Sequence, residues 1–475
     1  MYARSRWRPN PRWGRPTSLS ATRSPTEEPS WREPISTASC ATRRSRSTLC
    51  RFLPQTSCVR LRVHVRPRGH ADRERFRRME PSEVAARVLA AVDTQRAIDL
   101  TRQVCRIPSI LGAEGDLADF LAASMRDRGF SNVELQPVLP DRPNAIGEIS
   151  FGDGPRVVMT GHMDTKPVSI GWSAAEPFSG DLIDGRVFGH GIMDMKAALA
   201  CQITAIEAVR ECGLPLRGTL AMAAVSDHMG DQTGSIRYFE RHHADLCVLG
   251  ELSDNEIFLG HRGRYYFDVT AQGRSAHTCH KHHAINANTL AALAILELDA
   301  SRLEPALSPE IAARFGTETM MAPGRVYGGL PPGGPSMIPD ECVIRVDCRP
   351  QPGVSIETVR AEIDRCLDNA KRRDGRFSAE VELVDVKAPY LADPDSDVVQ
   401  TMVQAVRQVR GREPELMAAD WLGDTASFGE HIPTVIFGPG GEPVYCADEN
   451  LPVADIKEAT QVYAVFAALA LAAHE

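Results

Sequence analysis

The chain has 475 residues, 43% of them apolar and 24% charged, which is a globular balance long enough for two domains or more. No apolar run reaches about 18 residues, so a transmembrane helix is excluded by length, and a formal charge of −8 offers no general attraction to nucleic acid. That charge is unevenly held: residues 1–78 carry 19 arginines, no lysine and 5 acidic residues, a net of +14, which leaves −22 for residues 79–475.

The arginine-rich start is rich in Pro, Ser and Thr and lacks the hydrophobic periodicity of a packed core. It reads as a disordered or mis-assigned extension, with the protein proper beginning near Met79. It contains no secretory apolar segment followed by a small-residue cleavage site. The 12 cysteines are scattered without CxxC pairs, so reduced, mostly buried thiols are expected; Cys279 and Cys446 fall inside motif regions.

From Met79 the spacing of Val84, Val88, Leu89, Val92 and Ile98 predicts one continuous helix, stopped by Pro108. A second helix is expected over 116–128, then strands near 133–138, 144–149 and 157–160. The last of these runs, Val157-Val158-Met159, leads into TGHMDTK, which presents His162 and Asp164 from a strand end. Strand ends are where open α/β sheets place their sites. A histidine with an aspartate two residues on suits a metal ligand held from behind by a carboxylate, and Asp194 in GHGIMDMK is a second carboxylate ligand candidate. A long apolar helix follows Asp194 and ends at Gly213. The strands in LRGTLAMAAVSD and DLCVLGE then end near Asp227, His228 and Glu251. Three strand ends delivering imidazole or carboxylate groups describe one sheet edge built for a metal.

At Gly260 the pattern changes to two-sided strands and amphipathic helices, and residues 262–383 read as an inserted domain. The chain is expected to rejoin the first domain near 386–391, so that 79–261 and 384–475 form its two parts. A helix over 397–409, the strand and tight loop PTVIFGPGG, and a closing helix complete it.

Together TGHMD, GxGIMDMK, the loop after MAAV, VLGE, GRSAH, IRVDCRP and IFGPGG resemble the co-catalytic metallopeptidase and deacylase family of aminoacylase, acetylornithine deacetylase and succinyl-diaminopimelate desuccinylase. The resemblance spans residues 85–470. It implies an α/β fold, with a zinc-peptidase-like mixed-sheet catalytic domain and an inserted ferredoxin-like α+β lid that also serves dimerisation. It further implies that His162, Asp194 and Glu251 ligate metal, that Asp164 orients His162, that His277 polarises the substrate oxygen, and that Arg349 binds a substrate carboxylate. The family expects two consecutive glutamates where this chain has Asp227 and His228, and a C-terminal histidine where Tyr445 stands.

Asp227 or His228 is therefore the expected general base. A neutral phenol, with a pKa near about 10, is a poor metal ligand, so Tyr445 is assigned to substrate binding and one divalent ion (Zn, Mn or Co) is expected per site in place of two. The His280, His282 and His283 cluster reads as a solvated helix start, and Arg262 and Arg264 as helpers or hinge charges. These departures point to an aminohydrolase of electron-poor, carboxylate-bearing aromatic amines, for which 5-nitroanthranilate is the example. The alternatives are an N-acyl-amino-acid deacylase or dipeptidase, and an inactive binding relative. A small-molecule substrate, a homodimer or higher homo-oligomer, the cytoplasm, and neither nucleic acid nor membrane as partner complete the expectation.

Overall fold

In a computed structural model of the chain, residues 79–329 and 336–472 are described; the extension assigned to residues 1–78 lies outside them. The first helical stretch is two helices, Pro81–Ala91 and Thr94–Cys105, where the spacing had predicted one. The break is set by Asp93, whose carboxylate accepts from the backbone amides of Gln95 at 3.0 Å and Arg96 at 3.2 Å and so caps a new helix.

A nine-stranded mixed sheet forms the centre. Its order is Ser131–Leu139, Arg142–Ser150, Thr219–Val225, Arg156–His162, Leu246–Leu249, Thr434–Ile436, Ile257–His261 and Tyr390–Leu391, with Leu416–Ala419 also pairing to Ile257–His261. The middle strands are parallel: Arg156–His162 lies between Thr219–Val225 and Leu246–Leu249, with His162 opposite Val225. Their carboxyl ends therefore meet at one edge, which is the geometric reason the motifs gather. The Ile257–His261 strand was not legible in advance, because LSDNEIFLGH carries too short an apolar run to separate from loop.

The helix Ala197–Glu211 has 13 buried residues out of 15, so it is enclosed on nearly every side and central. It packs on the closing helix Val453–Leu471, whose Tyr463 and Phe466 are fully buried. Among the described residues, no helix is long and apolar enough to cross a membrane.

A second core has its own antiparallel sheet, in the order Met320–Gly328, Glu341–Arg349, Arg264–Gln272 and Ala379–Lys387. Alternate residues such as Phe267, Val269, Ile344 and Val346 are buried with Leu290 of Ala287–Asp299 and Ile363 of Ile356–Arg373. Both helices are capped as their sequences direct, by Asn286 and Ser355. Arg262 joins the two parts. It is buried, and its guanidinium donates to Asp420 at 2.7 Å and to the carbonyls of Phe315, Glu318 and Arg349.

Phe466→Ala is expected to lower stability by about 3–5 kcal/mol through the cavity left in the main core. Urea unfolding followed by circular dichroism measures this, and a change within about 0.5 kcal/mol, the range of surface substitutions, contradicts the packing described.

Candidate active site

His162 closes its strand fully buried, and its two ring nitrogens have separate partners. Nδ1 lies 2.8 Å from the backbone carbonyl of Asp164, an acceptor only, so Nδ1 carries a proton and Nε2 is the nitrogen turned toward the acids. Nε2 faces Asp194 Oδ1 at 2.8 Å and Glu251 Oε1 at 3.7 Å. The expected contact between the Asp164 carboxylate and His162 is not made. That carboxylate instead accepts from the backbone amides of His228 at 3.0 Å and Met229 at 2.7 Å, so Asp164 holds the neighbouring loop in place.

Asp194 sits in a tight turn, Ile192–Lys196, entered through Gly191 at φ 70° and containing a cis Asp194–Met195 peptide bond. A Cβ at position 191 would lie 2.3 Å from Thr165 Cγ2, so glycine is required there by conformation and space together. Glu449 fixes the same turn by accepting from the amides of Gly191 and Met193, each at 3.1 Å.

In the loop after Thr219–Val225 the Asp227 carboxylate already has partners. It accepts from Arg142 Nη2 at 2.8 Å and Thr233 Oγ1 at 2.7 Å, and Arg142 in turn forks onto the buried Glu114. Asp227, at φ 69°, thereby braces its own loop. His228 takes the inward place. Its ring stacks on His162 with centroids 4.2 Å apart and planes 9° apart. Its Nε2 is 3.8 Å from Glu251 Oε1, and its Nδ1 is 2.8 Å from Asp424 Oδ1.

Glu251 Oε1 is buried without a hydrogen-bond partner, facing both Nε2 atoms. Burial pushes the Glu251 carboxyl upward. Burial opposes charge on Asp194, but His162, the nearby His228 and the Tyr445 hydroxyl together hold that carboxylate below its usual range. The ligand atoms of His162, His228 and Glu251 all lie within 4.8 Å of one another. Two imidazoles and an unpaired buried carboxylate fit a divalent transition metal, and Asp194 stands beside them as a fourth donor. Tyr445, at φ 57°, donates its hydroxyl to Asp194 Oδ2, and burial followed by the Asp194 charge keeps the phenol protonated.

The other assigned residues stand apart. His277 is exposed, and its Nδ1 accepts from the Cys279 amide at 3.2 Å; Arg349 forks onto Asp347 at 2.8 and 3.0 Å within the smaller sheet. The nine described cysteines are free. Asp424, Arg142 and Glu114 escaped the sequence reading because each is a lone charged residue in a loop or strand start, given meaning only by a partner between 28 and 196 positions away.

Residues 158–469 match Peptidase family M20/M25/M40, which is more than half of the chain. The chain belongs to that family and is a metal-dependent hydrolase acting on C–N bonds. It is 28% identical over 384 residues to the succinyl-diaminopimelate desuccinylase of Methylobacterium radiotolerans, covering 77% of this chain and 95% of that protein. The enzyme of the same name from Methylocella silvestris is 28% identical over 389 residues, covering 78% and 96%. Among solved structures, the fold resembles the dipeptidase Dug1p of Saccharomyces cerevisiae (TM-score 0.67, 15% identity, 83% and 100% covered). It also resembles human carnosine dipeptidase 1 (TM-score 0.64, 17% identity, 82% and 98% covered). The YXEP protein of Bacillus subtilis, described as a dinuclear metal binding peptidase, matches with TM-score 0.55 at 17% identity, covering 80% and 98%.

Arg142→Gln leaves Glu114 and Asp227 without their shared cation. It is expected to cost about 3–5 kcal/mol, the usual penalty for breaking a buried ion pair from one side. Denaturant unfolding of the metal-free protein measures it, and an unchanged midpoint removes the bracing role.

Proposed function

We propose that the chain is an aminohydrolase that replaces the amino group of an electron-poor, carboxylate-bearing aromatic amine by hydroxyl and releases ammonia, with 5-nitroanthranilate as the substrate to test. The observation that carries this reading is the Tyr445 hydroxyl on Asp194 Oδ2. A dinuclear relative needs both oxygens of such an aspartate to bridge two ions, and here one is capped by a neutral phenol. His228 and Tyr445 thus support a site with one Zn, Mn or Co ion, held by His162, His228 and Glu251 with Asp194 beside them.

When bound, such an ion supplies Lewis acidity that makes water nucleophilic at neutral pH. Without a second cation to stabilise the oxyanion of an amide, a substrate that disperses the developing charge itself becomes favourable. A ring bearing a nitro group does so: water oxygen adds to the amine-bearing carbon, the nitro group accepts the charge, and ammonia leaves to give a salicylate. The proton taken from water passes to Asp227, the expected base, on exchange of its Thr233 or Asp231 contact, and is returned to the amino group so that ammonia leaves. Tyr445 meets the ring or its substituent. Arg349, by exchanging Asp347 for the substrate, holds the carboxylate through two parallel N–H donors, and His277 contributes from the same unit. The exposed edge strand Met320–Gly328 supports pairing of two copies through that unit, in a cytoplasmic homodimer or higher homo-oligomer.

A second reading, hydrolysis of an N-acyl amino acid or dipeptide, is supported by the desuccinylase relatives. Purified protein loaded in turn with Mn, Zn or Co is expected to release ammonia from 5-nitroanthranilate. It is expected to leave N-succinyl-diaminopimelate, N-acetyl amino acids and dipeptides intact. Cleavage of the amides without ammonia transfers the assignment to the deacylase class. Elemental analysis is expected to find one ion per chain, and two tightly held ions overturn the single-ion site.

A further inference from the structure

The two histidines of the cluster are prepared in the same way by different partners. In His162 the acceptor behind Nδ1 is a backbone carbonyl; in His228 it is the carboxylate of Asp424. Both acceptors can only receive a hydrogen bond, so both rings carry a proton on Nδ1 and turn Nε2 toward Glu251 Oε1, at 3.7 and 3.8 Å, with the His162 Nε2 also facing Asp194 Oδ1. The nearly parallel stacking of the rings keeps the two Nε2 atoms on one side.

Asp424 is itself fully buried and over-determined. Its Oδ2 accepts from Ser235 Oγ at 2.7 Å, and it makes no side-chain cap for the short helix Thr425–Phe428 that it precedes. Gln232, from the His228 loop, donates to the Gly423 carbonyl at 3.1 Å and accepts from Ser427 Oγ at 2.5 Å, so it locks the Asp424 loop to the loop it serves. A buried carboxylate whose oxygens are spent on the back of an imidazole and on one hydroxyl is placed to orient that imidazole.

We infer that Asp424 is a positioning residue which fixes the Nδ1–H tautomer of His228 and so makes His228 a metal ligand through Nε2. This rests on the single-ion reading of the site. In Asp424→Asn the neutral amide can turn its NH2 to Nδ1, which drives the ring proton to Nε2 and blocks ligation.

Calorimetric titration of the metal-free protein with Mn2+ or Zn2+ tests this without reference to turnover. Wild type is expected to bind one ion per chain, and D424N to bind it about 10–100-fold more weakly, the usual effect of losing such a partner. In a His228→Gln background, D424N is expected to weaken binding no further. Equal affinity of D424N and wild type, or an undiminished extra loss in the His228→Gln background, overturns the inference. Should D424N fail to fold, nitrogen-15 NMR of zinc-loaded wild type decides: two imidazoles with protonated Nδ1 and zinc-shifted Nε2 are expected, and a single one refutes the role. Two ions bound by wild type, with D424N still weaker, would defeat the single-ion reading while leaving Asp424 its role.

Discussion

The constraint on which the site depends is the burial of several acids at the parallel strand ends of one mixed sheet. Glu251 has an oxygen with no donor, Asp194 is nearly enclosed, and two imidazoles are pressed together at stacking distance. An isolated buried carboxylate is costly, because the protein interior replaces little of its hydration. A divalent cation among these groups satisfies all of them at once, so the fold that gathers them and the demand for metal are one arrangement.

Around that centre, acids with similar places in the motifs have been given different work. Asp164 and Asp227 both bond backbone amides of the 227–232 loop. The Arg142–Glu114 pair sits behind Asp227 and draws its carboxylate into an ion network. With Asp227 so engaged, the next residue is the one that turns inward, and it is a histidine. Glu449 likewise serves backbone amides and so fixes the turn that carries Asp194.

These reallocations bear on the chemistry. A phenol on one oxygen of Asp194 and an imidazole where a carboxylate is expected change the charge of the site as well as its ligand count. On the single-ion reading proposed above, fewer negative ligands leave a bound ion more Lewis-acidic and the Tyr445 hydroxyl offers a hydrogen bond beside it. On that same reading both changes favour a substrate whose own electronics absorb charge. The arginine and histidine of the smaller unit retain the means to hold a carboxylate, since Arg349 keeps a planar fork that is now paired to Asp347.

The sequence by itself determined the alternation of strand and helix, the strand ends that bear His162 and Glu251, the turn that bears Asp194, and the two places where the family pattern is broken. These are local facts, set by apolar runs, glycines and adjacent residue types. It also showed the change of character at Gly260 that marks the second core. Only the tertiary structure decided which oxygen or nitrogen faces which neighbour. Asp164 holds a loop and not a ring, Asp227 is captured by an arginine from another strand, and Asp424, 196 positions from His228, stands behind its imidazole. Periodicity and motif spacing carry no information about such long-range hydrogen bonds, because each depends on two loops meeting after the sheet has formed. The site's elements were therefore legible in the chain, and the division of labour among its acids was not.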